Sequence, residues 1–529
     1  MNLVSPATES PDRRRWAALL VVCLAQLMIV LDVTIVNVAL PSIQRDLHAS
    51  ISSLEWTVNA YTLTFAVLLV TGGRLGDIFG RRRMFLFGVV VFAVSSATIG
   101  FAPTQGWLVA GRAIQGIGGA FMMPGTLSII SNTFPARERG RAIGTWAGVS
   151  ALALALGPAV GGALTEYVSW RAIFFLNLPV AVGAVLVTLF AARESRDPTV
   201  DRTVDYPGIT ALSVGLTALV LALVEGNRWH WGSPAIVSLL VTAAVGIVAF
   251  ALVERHGRAP MVQFEYFRSR SFVGANSVAF IVSFAMLAMF FFMALYMQNI
   301  LHYTPLEAGI RFLPATVVII VASPIAGRLS DRIGPRPLIT AGLTLVAVAL
   351  FLQSRVTVHS GYAQLLPAFS LMGLGMGFTM SPMSTAAMNA ITPDKAGAAS
   401  GILSMFRMVG GTFGVAAIGA LFQSLARTRI DERLTGLHVP AGVRSQLVDN
   451  LGSGAGAKVL HGSDPHRAAQ IASAMHDAFI HALSGALTLS CGVAAVGAVL
   501  AFVLIEPTRA LRKKPDAARH PEAAEPVGV

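Results

Sequence analysis

Apolar stretches of about 20 residues recur almost without pause from residue 16 to residue 505, separated by short breaks rich in arginine, glycine and proline. In a bilayer every backbone polar group must be satisfied within the segment, so such stretches can only be helices. The breaks place spans near 16–39, 54–76, 84–101, 107–131, 141–164, 171–191, 207–225, 234–253, 271–300, 306–329, 337–354, 362–385, 398–425 and 480–505, about fourteen in all. The expected fold is therefore an all-α polytopic membrane protein. Composition agrees: of 529 residues only 12% are charged, against about a quarter in a soluble domain.

The net charge of +12 does not point to nucleic acid, because the arginines fall in short clusters between apolar runs and no basic patch is interleaved with aromatics. Cys23 and Cys491 lie inside predicted spans near opposite ends of the chain, where they read as inert thiols. No metal or cofactor motif is present, and neither HExxH, GxSxG nor a P-loop occurs. The basic "SPDRRRW" is followed by an apolar run to about residue 40, too long for a cleaved leader, so a retained first helix is expected.

Basic residues then assign the sides. With the N-terminus inside, inner segments hold Arg13–Arg15, Arg81–Arg83, Arg137, Arg139 and Arg141, and further clusters as far as Arg512–Lys514. Short outer loops hold only Arg45, Arg171, Arg228, Arg311 and Arg355. By the positive-inside rule both termini are cytoplasmic.

One inner loop occurs twice. "GGRLGDIFGRRR" (72–83) returns as the eroded "AGRLSDRIGPRP" (326–337), about eight helix-plus-loop units later. A plain six-plus-six duplication would repeat after six. The expected organisation is a cytoplasmic tail (1–15), a six-helix half (16–191), two inserted helices (207–253), a second six-helix half (271–505) with a long outer loop (426–479), and a cytoplasmic tail (506–529). Internal repeats of this kind mark secondary transporters.

The repeated loop resembles the signature of the major facilitator superfamily, usually written G-x-L-a-D-r-x-G-r-r. Gly73, Leu75, Asp77, Gly80, Arg81 and Arg82 match it; the second copy keeps Gly327, Leu329, Asp331, Arg332, Gly334 and Arg336 but has Pro335 at a basic position. "LDVTIVNVALP" (31–41), "RAIQGIGGA" (112–120), "GPAVGG" (157–162), "WRAIFFLNLP" (170–179) and "GILSMFRMVGGTFG" (401–414) resemble the fourteen-helix drug:proton antiporters of that superfamily. In the "GPAVGG" exporter motif, with Gly157, Pro158, Gly161 and Gly162, Ala153 stands where a first glycine is common. The resemblance implies an inner gate at Gly73, Asp77, Gly80 and Arg81, with Asp331 in the second copy, and links the helix 4 arginine to proton coupling.

The residues carry their own argument. Asp32 reads as the one carboxylate well inside a predicted span, where its insertion costs on the order of 2.5–3.5 kcal/mol, so function is the default reading. Arg112 is its natural partner: at 1.5 Å per residue the two lie at depths agreeing within roughly 3 Å. A carboxylate held between a cation, which favours its charged form, and burial, which opposes it, can be switched by moving the arginine. Asp32 and Arg112 are thus the expected proton-coupling pair. Gly157 and Pro158 suit helix packing or a kink. Arg407, mid-span in helix 13, has no evident acid; a substrate carboxylate, backbone carbonyls or a displaced loop acid would each suit it. Asn37, Asn59, Gln115 and Asn276 are candidate cavity contacts.

The function that follows is proton-driven efflux of amphiphilic or cationic small molecules, such as antibiotics or antiseptics, by a monomer without cofactor. Export of a lipid, siderophore or self-made antibiotic is the alternative; nutrient import ranks below it, and a membrane enzyme or sensor lower still. Abundant arginine, alanine and glycine suit a high-GC bacterium, hence its cytoplasmic membrane.

Overall fold

A computed structural model describes residues 12–47, 51–191, 194–196, 205–256, 262, 264–392, 395–435, 439, 444 and 465–507. Among these the regular structure is helical. In chain order the helices are α1 (Asp12–Leu47), α2 (Ile51–Phe79), α3 (Arg81–Gly100), α4 (Gln105–Thr133), α5 (Ala136–Tyr167), α6 (Ala172–Phe175), α7 (Asn177–Ala191), α8 (Tyr206–Trp229) and α9 (Pro234–His256). After a 3-10 turn (Phe264–Arg268) come α10 (Arg270–Asn299), α11 (Pro305–Arg311), α12 (Leu313–Ile333), α13 (Pro335–Ser354), α14 (Tyr362–Asn389), α15 (Ala396–Thr435) and α16 (Pro465–Leu504). Among the described residues, thirteen spans are long and apolar enough to cross a membrane. α5 is not among them, but it occupies the place of the expected fifth span.

Two expected spans are broken, each by a proline. Pro179 has no N–H for the Phe175 carbonyl, and the sixth span divides into α6 and α7 around Leu176. Pro314 does the same to the Ile310 carbonyl, dividing α11 from α12 at Phe312. In contrast α5 runs unbroken through Gly157 and Pro158.

Packing repeats between the two halves. α4 packs on α2 and α3, and α1 on α5 and α7; correspondingly α14 packs on α12 and α13, and α10 on α15 and α16. The halves meet along α2–α15 and α5–α12. α8 pairs with α9 and lies beside both α2 and α15, covering one of these seams, while α9 turns Val237, Val241, Val245 and Val248 outward. Unsatisfied apolar surface of this kind is what a lipid-facing helix presents.

The inserted pair also corrects the acid count. α8 and α9 run past the expected span ends, and bring Glu225 and Glu254 inside helices, 2% and 3% exposed. The expected outer loop 426–479 is shorter than that as well. α15 continues to Thr435 and α16 starts at Pro465, the two tied by Arg429 and Arg433 to Asp477 at 2.9 and 3.1 Å. Asp464, of a residue type suited to cap a helix that starts at Pro465, lies outside the described residues.

Candidate functional site

The depth argument brings Asp32 and Arg112 together. Arg112 on α4 donates Nη1 to Asp32 Oδ2 at 2.5 Å, with the two side chains essentially buried. Gln115, one turn along α4, donates Nε2 to Asp32 Oδ1 at 2.9 Å and accepts from Arg112 Nη1 at 2.7 Å. Arg112 also donates Nε to the Thr57 carbonyl of α2 at 3.1 Å, and its guanidinium lies 4.3 Å over the Tyr61 ring. Cation–π attraction there adds to the ion pair.

Two partners escape a reading of the sequence by spans. Asn177, the first residue of α7, donates Nδ2 to Asp32 Oδ1 at 3.1 Å and to Ser96 Oγ of α3 at 3.0 Å. Its signal was an amide at the start of "NLP", held just where Pro179 forces the α6–α7 break. The Asp32 carboxylate therefore accepts from three side chains on two helices.

The exporter glycines seat the helix that carries Asp32. A Cβ on Gly157 would overlap the Thr34 hydroxyl, and one on Gly161 would stand 3.1 Å from Ile35 Cγ2. Gly162 is part-buried, and the Pro158 side chain lies outside the description. The motif packs α5 on α1, two residues from the acid.

The remaining candidates are scattered. Asn59 is part-buried on α2 and bonds to no described residue, whereas the Asn37 side chain is outside the description. Asn276, buried on α10, donates to the Phe272 carbonyl of its own helix at 2.8 Å. Arg407 lies on α15 in the second half and bonds to no member of the Asp32 cluster.

At the end expected to lie inside, the repeated loops make two contacts, or latches, between the halves. Asp77, at the end of α2, accepts the Gly397 N–H at 3.0 Å and the Ala398 N–H at 2.7 Å, from the start of α15 in the other half. These are among the N-terminal N–H groups that an α-helix leaves unpaired, at the positive end of its dipole. Arg81 clamps the same carboxylate through Nη2 at 2.6 Å and Nε at 3.0 Å. A Cβ on Gly73 would overlap the Gly397 carbonyl, so that glycine sets the approach of the helices. Gly76 has open space, its nearest neighbour 3.9 Å away, and sets nothing. Gly80 turns the chain into α3 at φ 110, where a side chain is strained and would press on Glu194.

In the second latch Asp331, at the end of α12, accepts the N–H groups of Gly140 and Arg141 on α5 at 3.1 and 3.3 Å. Gly334 turns at φ 90 as Gly80 does, and Pro335 then takes the first helical position that Arg81 fills in the first copy.

A helical bundle with paired halves, a duplicated inner latch and a buried acid–arginine pair in one half finds its match in sequence comparison. The Major Facilitator Superfamily model matches residues 22–415. The chain belongs to this superfamily. It is a multi-pass membrane protein and a transporter of that kind. Among its relatives are the tetracenomycin C resistance and export protein of Streptomyces glaucescens, 34% identical over 92% of this chain and 91% of that one. The puromycin resistance protein pur8 of Streptomyces alboniger is 37% identical, covering 95% and 93%. The multidrug transporter protein MdtP of Bacillus subtilis is 30% identical, covering 80% and 79%. The fold is shared with the human organic anion transporter MFSD10, at a TM-score of 0.61 and 14% identity over 93% of this chain and 100% of that one.

Proposed function

We propose that this transporter exports amphiphilic small molecules, antibiotics among them, in exchange for protons across a bacterial cytoplasmic membrane. The observation that carries the reading is the buried Asp32–Arg112 pair, closed over by Gln115 and Asn177 inside the first half. The relatives' names supply the substrate class and direction. Fourteen spans with both termini cytoplasmic, α5 included, fit the basic residues of the inner segments. A single chain, with the proton gradient as energy source and no cofactor, suffices for this scheme.

In the cycle, a proton arriving at Asp32 releases Arg112, and the loosened contacts of α1, α4 and α7 move the first half against the second. Both inner latches are closed in this structure, which suits a state loading protons from outside and releasing substrate there. One proton crossing about 100 mV and about one pH unit releases roughly 3.7 kcal/mol, enough for a several-hundredfold gradient of a neutral substrate. Export of an endogenous lipid, siderophore or self-made antibiotic would use the same machinery.

The test is proton-driven uptake of a drug panel, puromycin included, into inverted membrane vesicles. Asp32→Asn should abolish uptake while leaving the protein folded and membrane-inserted; full retention would sink the assignment.

A further inference from the structure

α15 carries a charge that neither the coupling cluster nor the latches use. Arg407 stands eleven residues into the helix, about 16 Å from its inner end and so well within the span. It is part-buried and makes no hydrogen bond, ion pair or ring contact among the described residues.

The neighbours of α15 fix the way this residue looks. Gly401 lies against Leu69 and Val70 of α2, while Gly410 and Gly414 lie against the backbone of Phe280 and Phe284 on α10. Between those two faces, Ser400 donates Oγ to the Pro124 carbonyl of α4 at 2.8 Å. Arg407 is two turns further out, within about 20° of Ser400 around the helix. It therefore stands on the face of α15 that looks across to α4 in the other half, about 10 Å outward of that bond.

The α10 side chains outward of it are apolar and exposed. Gly411, one turn outward of Arg407, abuts Leu287 of α10, which is 42% exposed; Phe291, next on the same α10 face, is 49% exposed. Asn276 lies one turn inward of Phe280 on that face, 1% exposed, with Oδ1 unpaired. An unpaired guanidinium turned to lipid would be severely penalised, whereas one lining a passage between the halves is tolerated. It then calls for an anion at some stage of the cycle.

None of the buried acids among the described residues offers a cation the same welcome. Asp32 is held by three donors, and Asp77 and Asp331 close the latches. Glu225 and Glu254 belong to the inserted pair α8–α9.

We propose that Arg407 is the anion-recognising residue of the substrate path, selecting amphiphiles that carry a carboxylate or a comparable compact anionic group. The apolar body rests against Leu287 and Phe291, and the guanidinium fork takes the charge. This narrows the efflux reading, on which it rests, away from cationic substrates.

The probes are 1-pyrenebutyrate and its methyl ester, which share an apolar body and differ in charge. Equilibrium binding to the full-length protein in detergent is followed by pyrene fluorescence. The wild type should bind the acid about tenfold more tightly than the ester, the scale of one charged hydrogen bond. Arg407→Gln should abolish that preference with ester binding unchanged, and Arg407→Lys should restore part of it. Equal affinity for both probes in the wild type, or equal loss of both in Arg407→Gln, would overturn the proposal. Discrimination in binding without movement of either probe into energised inverted vesicles would uphold the anion site and count against efflux.

Discussion

The two inner latches are copies of one loop, yet they are not equivalent. Each presents a carboxylate from the end of one helix to backbone N–H groups of the opposite half. Asp77 meets the start of α15 at Gly397 and Ala398, where the N–H groups have no carbonyl of their own helix to bond. Asp331 meets α5 at Gly140 and Arg141, five and six residues into that helix, where each N–H already has a carbonyl four residues back. Its bonds are longer in consequence. Arg81 holds Asp77 in place; its counterpart Pro335 has no charge to offer. Glu194 and Ser195, on the way to the inserted helices, then fasten the first loop through the Arg82 and Arg81 N–H groups at 3.1 and 2.9 Å. With α8 laid along α2 and α15, the inserted pair reinforces the first latch from the side, whereas the second has beside it the Ser381 bond to the Gly140 carbonyl at 3.4 Å.

The lesson is that duplication supplied the geometry twice while local residues set its strength. Asp77→Ala should weaken inner closure most, by roughly ten- to a hundredfold, since charged hydrogen bonds contribute about 1.5–3 kcal/mol. Double electron–electron resonance between spin labels on the inner ends of α2 and α15 would report the gain of an open population. Asp331→Ala, measured across α5 and α12, should give a gain of only severalfold, roughly 1 kcal/mol, because its donors are shared with carbonyls of α5 and its bonds are longer. Equal effects would break the comparison. Arg81→Ala should fall between the two, because Asp77 keeps its two backbone donors. Glu194→Gln should have the smallest effect, within about twofold, as expected for an interaction at the exposed surface; a loss as large as that of Asp77→Ala would mean that the linker, not the carboxylate, holds the loop.

How far the sequence reveals these features depends on the range of the forces involved. Span positions are local matters of apolar length, and they emerge nearly as expected. The Asp32–Arg112 pair follows from depth alone, because two opposite charges in a low-dielectric bundle have few places to go. Asn177 and Ser96 do not follow, since their places depend on the rotation of α7 and α3 about their axes. The breaks at Pro179 and Pro314 were written in the chain, but continuous apolar character masked them. The outward runs of α15 and α16 were hidden for the opposite reason: their polar ends read as loop, although Arg429, Arg433 and Asp477 pair across them. The weaker second latch was foreseeable from Pro335, whereas the occupied N–H groups of α5 appear only once α12 is docked.

The central claim is that Asp32 takes up the proton that drives the cycle. Infrared difference spectroscopy of the membrane-reconstituted protein, between alkaline and acidic buffer, reads it directly through the carbonyl stretch of a protonated carboxyl group. The account predicts such a band in the wild type and its loss in Asp32→Asn. A band of unchanged intensity in Asp32→Asn, or none in the wild type, would contradict it.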